Sequence, residues 1–483
     1  MEPLVRLIQA MGPIAVALTF LLSVIASAHV VLYKRDSRAA VGWVGLIWLA
    51  PVAGSVLYAL LGINRIRRQA VTQRTARLGT AGGTALPPAT PRPELLPPEV
   101  QHLHPLAELV DRISARRIKS GNAVTPLVNG DEAYPQMLAA IEEAQLTVAL
   151  STYIFDNDQV GRQFQEALQR AVERGVEVRV LIDTVGARYS WPPIWRSLRQ
   201  REVPVALFGR TLWPWRMPYL NLRNHRKLLV ADGRVGFTGG MNIRQGHVLQ
   251  SQPRHPVADL HFRLQGPVVA QLMRTFADDW LFTTGELLDD ITWYPPLDEA
   301  GSVVARGLND GPDEDFEKAR FVFLGALACA QKSVRIVTPY FIPDQGLISA
   351  LDVTALRGVK VEILLPEASN LALVQWASTA QLWQVLARGC RVYFTPPPFD
   401  HSKLMVVDDG WALFGSSNWD ARSLRLNFEF GVECYDAALA AQLNALIEQK
   451  LARAREVTSA ELNGRSLPVK LRDGIARLAA PYL

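Results

Sequence analysis

Cysteine is scarce in this sequence. Only three of its 483 residues are cysteines, and Cys329, Cys390 and Cys434 lie far apart, with no CxxC pair and no histidine at a metal-ligand spacing. This distribution excludes a disulfide framework and a cysteine-based zinc site. We interpret the three thiols as reduced and structural, and the sequence indicates no metal site and no cofactor.

A strong excess of charge is also missing. The formal net charge is +5, and the basic residues cluster near the N-terminal apolar stretches. The remainder of the chain has no basic run interleaved with aromatic residues, which is the pattern typical of surfaces that bind single-stranded nucleic acid. The composition therefore argues against a nucleic-acid partner and favours an anionic membrane surface.

Two stretches near the N-terminus lack charged residues. Residues 11–33 carry none apart from His29, if it is protonated, and residues 39–62 carry none at all. Each stretch exceeds the roughly 20 residues that cross a bilayer, so residues 1–68 are predicted to form a membrane anchor with two transmembrane helices. A cleaved signal peptide is the competing interpretation, because Ala26-Ser27-Ala28 resembles a cleavage site. The second apolar stretch favours the anchor.

The basic residues beside these stretches predict the orientation. The outer flanks hold more of them than the loop between the stretches. The flanks contain Arg6, Arg65, Arg67, Arg68, Arg74 and Arg77, and the loop contains Lys34, Arg35 and Arg38. Basic residues favour the cytoplasmic side, so the body is predicted to be cytoplasmic. Residues 69–104, rich in Pro, Ala and Gly and without periodicity, are predicted to be a linker.

The sequence contains one motif twice. Residues 225–232 (HRKLLVAD) and 401–408 (HSKLMVVD) both read HxKxxxxD, and after six residues each is followed by a glycine-containing cluster that ends in Asn242 or Asn418. Two copies with the same offsets make a chance match improbable. A histidine, a lysine and an asparagine delivered twice are suited to bind a phosphate and to transfer it through a histidine nucleophile.

Strand geometry predicts how each motif is arranged. Side chains alternate between the faces of a strand, so His225 and Lys227 should share one face, as should His401 and Lys403. The motif aspartates, Asp232 and Asp408, lie an odd number of residues further along. They are expected to face the other side and to act as supports.

The repetition extends beyond the motif. Residues 174–181 (RGVEVRVL) recur as 357–364 (RGVKVEIL), and Ser151-Thr152-Tyr153 parallels Thr338-Pro339-Tyr340. Each copy reads as a strand, a helix and a second strand, and the glycines at 175 and 358 suit the left-handed residue that ends the helix. We predict two α/β halves, residues 105–300 and 301–483.

The paired motifs resemble those of the phospholipase D superfamily. The resemblance implies two similar α/β/α halves with mixed sheets around a shared active site. The two N-terminal stretches, together with residues 60–65 (LLGINR), 338–344 (TPYFIPD) and 427–429 (NFE), are similar to the bacterial cardiolipin synthases. The chain departs from that family at residues 255–259 (HPVAD), 370–386 and 396–398 (PPP), which puts the lipid preference in doubt more than the chemistry.

The resemblance implies phosphatidyl transfer between two phosphatidylglycerol molecules in the bacterial inner membrane, giving cardiolipin and glycerol without a metal. His225 is expected to form a phosphatidyl-histidine and His401 to act as acid and then base. Lys227, Lys403, Asn242 and Asn418 are expected to hold the phosphate. The resemblance also implies that the acidic residues Asp259 and Glu429 orient the two histidines.

Other functions stay open at this point. A membrane-bound phospholipase D that uses water, or a transferase that uses another alcohol such as phosphatidylethanolamine, would need the same residues. A nuclease and a non-catalytic scaffold are disfavoured by the N-terminal stretches and by the two intact motifs. Whether the chain forms a homodimer is not written in the sequence. Residues 212–219 (LWPWRMPY) are a candidate membrane contact or a buried aromatic cluster, and Arg188, Trp191 and Trp195 are candidates to line a lipid entrance.

Overall fold

The computed structural model describes residues 2–34, 37–62, 96–114, 116–209, 222–312 and 316–480. The chain divides into two compact units, Met1–Ala70 and Val71–Leu483. Each unit is treated by itself below.

The N-terminal unit is helical. It contains α1 (Glu2–Tyr33), α2 (Ser37–Leu49) and α3 (Pro51–Leu57), followed by a π-helical turn at Tyr58–Gly62. The helices contact one another through a small buried cluster that includes Val30, Ile47 and Tyr58. Within α1, Ala15–Tyr33 is long and apolar enough to cross a membrane.

The prediction of two continuous membrane-spanning helices is confirmed only for the first, because the second apolar segment is broken. At Ala50 the backbone leaves the helical region (φ −138°, ψ 75°), and Pro51 begins α3. A Cβ atom on Gly54 would lie 2.4 Å from the carbonyl oxygen of Leu46, so α3 turns back onto α2. With 13 residues, α2 is about 20 Å long, which is short of the roughly 30 Å hydrocarbon core. Apolar composition does not report where a backbone bends.

The larger unit alternates strands and helices. Its described helices are α4 (His104–Ile113), α5 (Asn129–Glu143), α6 (Gln159–Glu173), α7 (Ile194–Gln200), α8 (Val269–Thr284), α9 (Lys318–Cys329), α10 (Gln345–Leu356), α11 (Ala372–Thr379), α12 (Leu382–Leu386), α13 (Ala421–Arg425), α14 (Ala437–Leu451), α15 (Ser459–Gly464) and α16 (Leu467–Leu478).

The strands of the first half are β1 (Lys119–Val128), β2 (Thr147–Thr152), β3 (Glu177–Asp183), β4 (Val205–Phe208), β5 (Arg223–Asn224), β6 (Leu228–Ala231), β7 (Val235–Gly239), β8 (Val257–Ala258) and β9 (Leu260–Gln265). Those of the second half are β10 (Val303–Asp310), β11 (Ser333–Val337), β12 (Phe341–Ile342), β13 (Lys360–Pro366), β14 (Arg391–Thr395), β15 (Phe399–Asp400), β16 (Leu404–Val407), β17 (Trp411–Gly415), β18 (Trp419–Asp420), β19 (Asn427–Tyr435) and β20 (Arg455–Val457).

Most of these strands join one mixed sheet that repeats itself about a central seam. Its order is β4-β3-β2-β6-β7-β9-β1 in the first half and β10-β19-β17-β16-β11-β13-β14-β20 in the second. The two halves meet where β1 runs antiparallel to β10. In each half three neighbouring strands of the sheet are parallel (β2, β3 and β4; β11, β13 and β14). The predicted pair of α/β halves with mixed sheets is therefore confirmed.

Each half has its own hydrophobic core. In the first half it includes Leu150, Val180 and Leu229, and in the second Ile336, Ile363 and Met405. Helices cover both faces of the sheet, which explains why the central strands are apolar on both sides. The helices α6 and α10 end at Gly175 (φ 85°) and Gly358 (φ 87°), the predicted left-handed residues.

The three cysteines are unpaired. Cys390 and Cys434 are buried, and Cys329 is partly buried. They pack as small apolar side chains, in agreement with the interpretation as structural thiols.

Candidate functional site

Both motif histidines lie just before a strand rather than within it. The strand β6 begins at Leu228 and β16 at Leu404, so the residues His225–Lys227 and His401–Lys403 form extended connections ahead of them. The prediction that each histidine and lysine lie within the strand is therefore wrong. The backbone N–H of each histidine bonds instead to a strand of the opposite half of the protein.

Short parallel strand pairs cross between the halves. In the first pair, β5 lies beside the start of β19, with Arg223 opposite Asn427. In the second, β15 lies beside β8. The chain continues each pairing by one further bond, because the backbone N–H of His225 donates to the Phe428 carbonyl (2.9 Å) and that of His401 donates to the Ala258 carbonyl (2.7 Å). Each histidine is thus fixed to the residue that precedes an acidic side chain of the other half.

The two imidazoles take those acids as partners. The Nδ1 atom of His225 lies 2.9 Å from Oε2 of Glu429, and the Nδ1 atom of His401 lies 2.8 Å from Oδ2 of Asp259. A carboxylate can only accept, so Nδ1 carries the proton and Nε2 presents its lone pair when the ring is neutral. The sequence identified all four residues, but it did not predict that each acid serves the histidine of the opposite half.

Local packing holds the two carboxylates in place. The second oxygen of Glu429 accepts from Nδ2 of Asn427 (3.0 Å), and the second oxygen of Asp259 accepts from the backbone N–H of Leu260 (2.8 Å). The residue two places before each motif asparagine also contacts an acid. At this position Gly240 leaves room for Asp259, since a Cβ atom there would lie 2.2 Å from Oδ1, whereas the Ser416 hydroxyl, which donates to the Phe430 carbonyl (3.3 Å), helps to lower the pKa of Glu429.

The two asparagines face the same pocket as the histidines. The side-chain oxygen of Asn242 accepts from the backbone N–H of Ile154 (3.0 Å), which leaves its amide N–H groups for a ligand. The amide of Asn418 donates to the Ser423 hydroxyl (3.2 Å), and its oxygen is buried without a partner among the residues that the structure describes. The amide N–H groups of the two asparagines, and not their oxygens, are the donors suited to phosphate oxygens.

The motif lysines are almost completely buried, at 2% exposed for Lys227 and 5% for Lys403. Their ammonium groups donate to the carbonyls of the histidines two residues earlier, at 2.6 Å and 2.5 Å. Burial lowers the pKa of Lys227 to about 7 and that of Lys403 to about 8, and repulsion from the Lys403 ammonium group lowers the pKa of Lys227 further. An anionic ligand would relieve this repulsion and keep both lysines charged.

The histidine pairs differ in their electrostatics. Burial lowers the pKa of His225, although Glu429 opposes the shift, and burial with Lys403 holds the pKa of His401 well below its usual value. Burial alone would raise the pKa of Glu429, but His225 and Lys227 outweigh it and hold that pKa below its usual value. Burial raises the pKa of Asp259 to about 6. The acid beside His225 therefore stays ionised over a wider pH range than the acid beside His401.

The pocket onto which these groups open has a cavity volume of about 200 Å³. Among its lining residues, sequence reasoning had assigned no role to the arginines Arg223 and Arg422 or to the tyrosines Tyr153 and Tyr340. The tyrosines pack edge-on against the two histidines, with ring centroids 5.2 Å and 6.4 Å apart. Their matching positions in the two repeats were a signal that could have found them.

The motif aspartates lie outside this pocket. Asp232 accepts backbone N–H bonds from Gln145, Leu146 and Thr147 (2.8–2.9 Å for the shortest bond from each). Asp408 accepts the equivalent bonds from residues 331–333, and another from the ring of His102 at 2.9 Å. Both sit at the far ends of β6 and β16 and fix the starts of β2 and β11. Within the motifs they are structural residues.

The candidate entrance residues lie elsewhere. Tyr189 lines the pocket, whereas Arg188, Trp191 and Trp195 are not among the lining residues. Arg196 stacks over the rings of Trp191 and Trp195 instead. Residues 212–219 lie outside the described residues. The divergent segment 370–386 does reach the pocket, through Asn370, Leu371 and Val374.

Comparisons with known proteins point in one direction. A model of the PLD-like domain of cardiolipin synthase matches residues 137–280 and 323–451, and a phospholipase D-nuclease N-terminal model matches residues 21–62. Cardiolipin synthase A of Pseudomonas putida (strain GB-1) is 31% identical, over 96% of this chain and 97% of the relative. Cardiolipin synthase 2 of Staphylococcus epidermidis (strain RP62A) is 29% identical, over 96% of each chain.

Among solved structures, the fold is similar to that of a phosphatidylserine synthase from Haemophilus influenzae Rd KW20. The TM-score is 0.58 at 17% sequence identity, over 74% of this chain and 95% of that one. At this identity the likeness concerns the fold alone.

The space beside Asp259 provides a test of the histidine–acid pairs. In Gly240→Ala the new Cβ must displace the Asp259 carboxylate, so we expect turnover at this site to fall at least about tenfold, because misplaced catalytic groups are costly. The unfolding temperature monitors the fold. The matched control is Ser416→Ala, which already has a Cβ and loses only a hydroxyl, so its turnover should fall less. Wild-type turnover in Gly240→Ala would contradict the assignment.

Proposed function

Because the chain belongs to the cardiolipin synthase family of the phospholipase D superfamily, we propose that it transfers the phosphatidyl group of one phosphatidylglycerol to a hydroxyl of a second, forming cardiolipin and releasing glycerol. The observation that carries the proposal is the pair of crossed histidine–carboxylate hydrogen bonds that open on one pocket. One histidine can act as nucleophile while the other moves the proton.

In the first step, Nε2 of His225 attacks the phosphorus of the donor lipid. An N–P bond forms, the P–O bond to glycerol breaks, and protonated His401 gives its proton to the departing oxygen. Burial and Lys403 lower the pKa of His401, and this pKa rises when the phosphodiester anion binds beside the ring, because an adjacent negative charge favours the imidazolium.

The electrostatic difference between the pairs supports His225 as the nucleophile. The imidazole that attacks phosphorus gains positive charge, which an ionised neighbour stabilises. Glu429 is fully buried and its pKa lies below the usual value, whereas the pKa of Asp259 is raised to about 6. The acid that stays ionised to lower pH therefore accompanies His225.

In the second step, neutral His401 removes the proton from a hydroxyl of the second phosphatidylglycerol. The new O–P bond forms as the N–P bond breaks, and His225 is regenerated. Lys227, Lys403, Asn242 and Asn418 stabilise the phosphate oxygens as charge shifts between them.

The acceptor brings a second phosphate, and the pocket contains additional cations that suit it. Arg223 precedes His225 by two residues and Arg422 follows Asn418 by four, and both line the pocket. They come from opposite halves and lie close enough for Arg223 to lower the pKa of Arg422, after burial the next largest cause. A phosphodiester joined to the attacking hydroxyl by the glycerol carbons would balance this charge. A water molecule as acceptor brings no negative charge to balance the arginines, so their presence favours transfer over hydrolysis.

The protein is proposed to be a multi-pass protein of the bacterial inner membrane with a cytoplasmic body. The basic flanks support this topology, and the apolar helix Ala15–Tyr33 supports attachment to the membrane. Thiol labelling, from each side of the membrane, of cysteines introduced on both sides of the break at Ala50 and Pro51 tests this topology.

The products test the reaction. Purified protein with phosphatidylglycerol as the only lipid should yield cardiolipin and equimolar glycerol by mass spectrometry, and His225→Ala and His401→Ala should each yield neither. Lys332→Gln, which changes an exposed side chain outside the pocket, is the control for handling. Phosphatidic acid with glycerol but no cardiolipin would identify a hydrolase and overturn the proposal.

The arginines should decide the fate of the intermediate. In Arg223→Gln and Arg422→Gln the ratio of cardiolipin to phosphatidic acid should fall about tenfold or more, since a charge-assisted hydrogen bond contributes about 1.5–3 kcal/mol. Total glycerol release should fall less. Arg188→Gln, an exposed arginine outside the pocket, should leave the ratio unchanged. A parallel fall of both products would mean that the arginines do not serve the acceptor.

A further inference from the structure

The last described helix, α16, exposes its large apolar side chains and buries a charged one. Four large apolar side chains of α16 point into solvent: Leu467 is 68% exposed, Leu471 57%, Ile475 67% and Leu478 76%. The buried residues of the same helix are Asp473 and Ala476. A helix on the surface of a globular protein normally buries its apolar side, so this helix is built for a second apolar environment.

Specific contacts fix the orientation of α16. Ala476 packs in a small core with Val374 and Ala377 of α11. The buried carboxylate of Asp473 accepts from Arg465 (2.5 Å) and from Arg472 (2.7 Å and 2.9 Å). The guanidinium of Arg472 also lies 4.5 Å above the ring of Trp376. The helix is therefore held to the body by one side, and its opposite side is exposed by construction.

Helical geometry gathers the four exposed side chains into one face. At 100° per residue, Leu467, Leu471, Ile475 and Leu478 fall within about 80° of one another, opposite Asp473 and Ala476. We call them the apolar face of α16. Exposed basic residues flank it, with Lys470 and Arg477 on one side and Arg472 on the other. An apolar face between cations is the arrangement of helices that lie in the interface of anionic membranes.

The apolar face is linked to the catalytic pocket. The helix α11, against which α16 packs, contributes Val374 to the pocket lining, and Leu371 just before it does the same. Leu371 is 48% exposed and Leu373 44%. The helix on which α16 packs therefore carries exposed apolar side chains beside the pocket that holds the two histidines.

We propose that the apolar face of α16 docks the catalytic body onto the surface of an anionic phospholipid bilayer, next to the pocket. Its apolar side chains enter the boundary between headgroups and acyl chains, while Lys470, Arg472 and Arg477 contact lipid phosphates. The docked body receives phospholipid from the bilayer without exposing its acyl chains to water. This last step rests on the proposed function, whereas the docking itself does not.

Depth-dependent fluorescence quenching tests the docking on the full-length protein. An environment-sensitive fluorophore on Leu471→Cys, in protein reconstituted into phosphatidylglycerol vesicles, should be quenched by lipids brominated near the headgroup end of the acyl chain. The same fluorophore on Asn463→Cys, at an exposed polar site on α15, should be quenched only by iodide in water. Quenching of the Leu471 probe by iodide alone would overturn the proposal. Shielding of the Leu471 probe from water that disappears when the protein is diluted with lipid would also overturn the proposal, because it indicates contact with a second copy. Shielding that persists in detergent would do the same, because it indicates contact with another part of this chain.

Activity separates this proposal from the proposed function. Leu471→Glu with Ile475→Glu changes only exposed side chains, so the unfolding temperature should stay close to that of the wild type. We expect cardiolipin formation on vesicles to fall at least about fivefold, and formation from monomeric short-chain phosphatidylglycerol to be unchanged. Asn463→Glu is the control for added charge. Unchanged activity on vesicles would overturn the docking proposal, whereas a wild-type protein that is inactive on both substrates would instead contradict the proposed function.

Discussion

The crossed histidine–carboxylate hydrogen bonds are the constraint on which the site depends. Each imidazole is positioned by an acid from the other half, His225 by Glu429 and His401 by Asp259, and each is preceded by a short strand that pairs with the other half. Neither half contains a complete pair. The antiparallel contact of β1 with β10 therefore does more than join the two halves, because it also helps to position each histidine relative to the acid of the other half. Buried ionisable groups tolerate little misplacement.

The duplicated scaffold supports a division of labour because the copies are not identical where they touch the acids. The first half has Gly240 where the second has Ser416, and Asp259 where the second has Glu429. The surroundings lower the pKa of Glu429 and raise the pKa of Asp259 to about 6. Small differences in a shared buried site therefore give the two histidine–acid pairs different electrostatics, and in the proposed mechanism these differences distinguish the nucleophile from the acid and base.

Much of this architecture could be predicted from the sequence. The repeated HxK motif, the two halves and the glycines that end α6 and α10 follow from local patterns. The crossed pairing could not be predicted in this way. The position of each acid in its own repeat is as compatible with a bond to the histidine of the same half as with a bond to the histidine of the other half. The helix break at Ala50 and Pro51 escaped prediction because hydropathy averages over the backbone. The exposure of the apolar face of α16 could not be predicted either, because it depends on which side of the helix contacts the body. That side is the one with the buried residues Asp473 and Ala476.

The most direct test of the account is to trap the covalent intermediate with a phosphatidyl ester of p-nitrophenol, whose leaving group needs no acid. His401→Ala should release about one equivalent of nitrophenolate in a burst, because it can form the intermediate but cannot activate the acceptor. Mass spectrometry of the alkaline-quenched protein should then locate the phosphatidyl group on His225, and His225→Ala should show neither burst nor adduct. An adduct on His401 in His225→Ala protein would contradict the assignment of the nucleophile to the Glu429 pair.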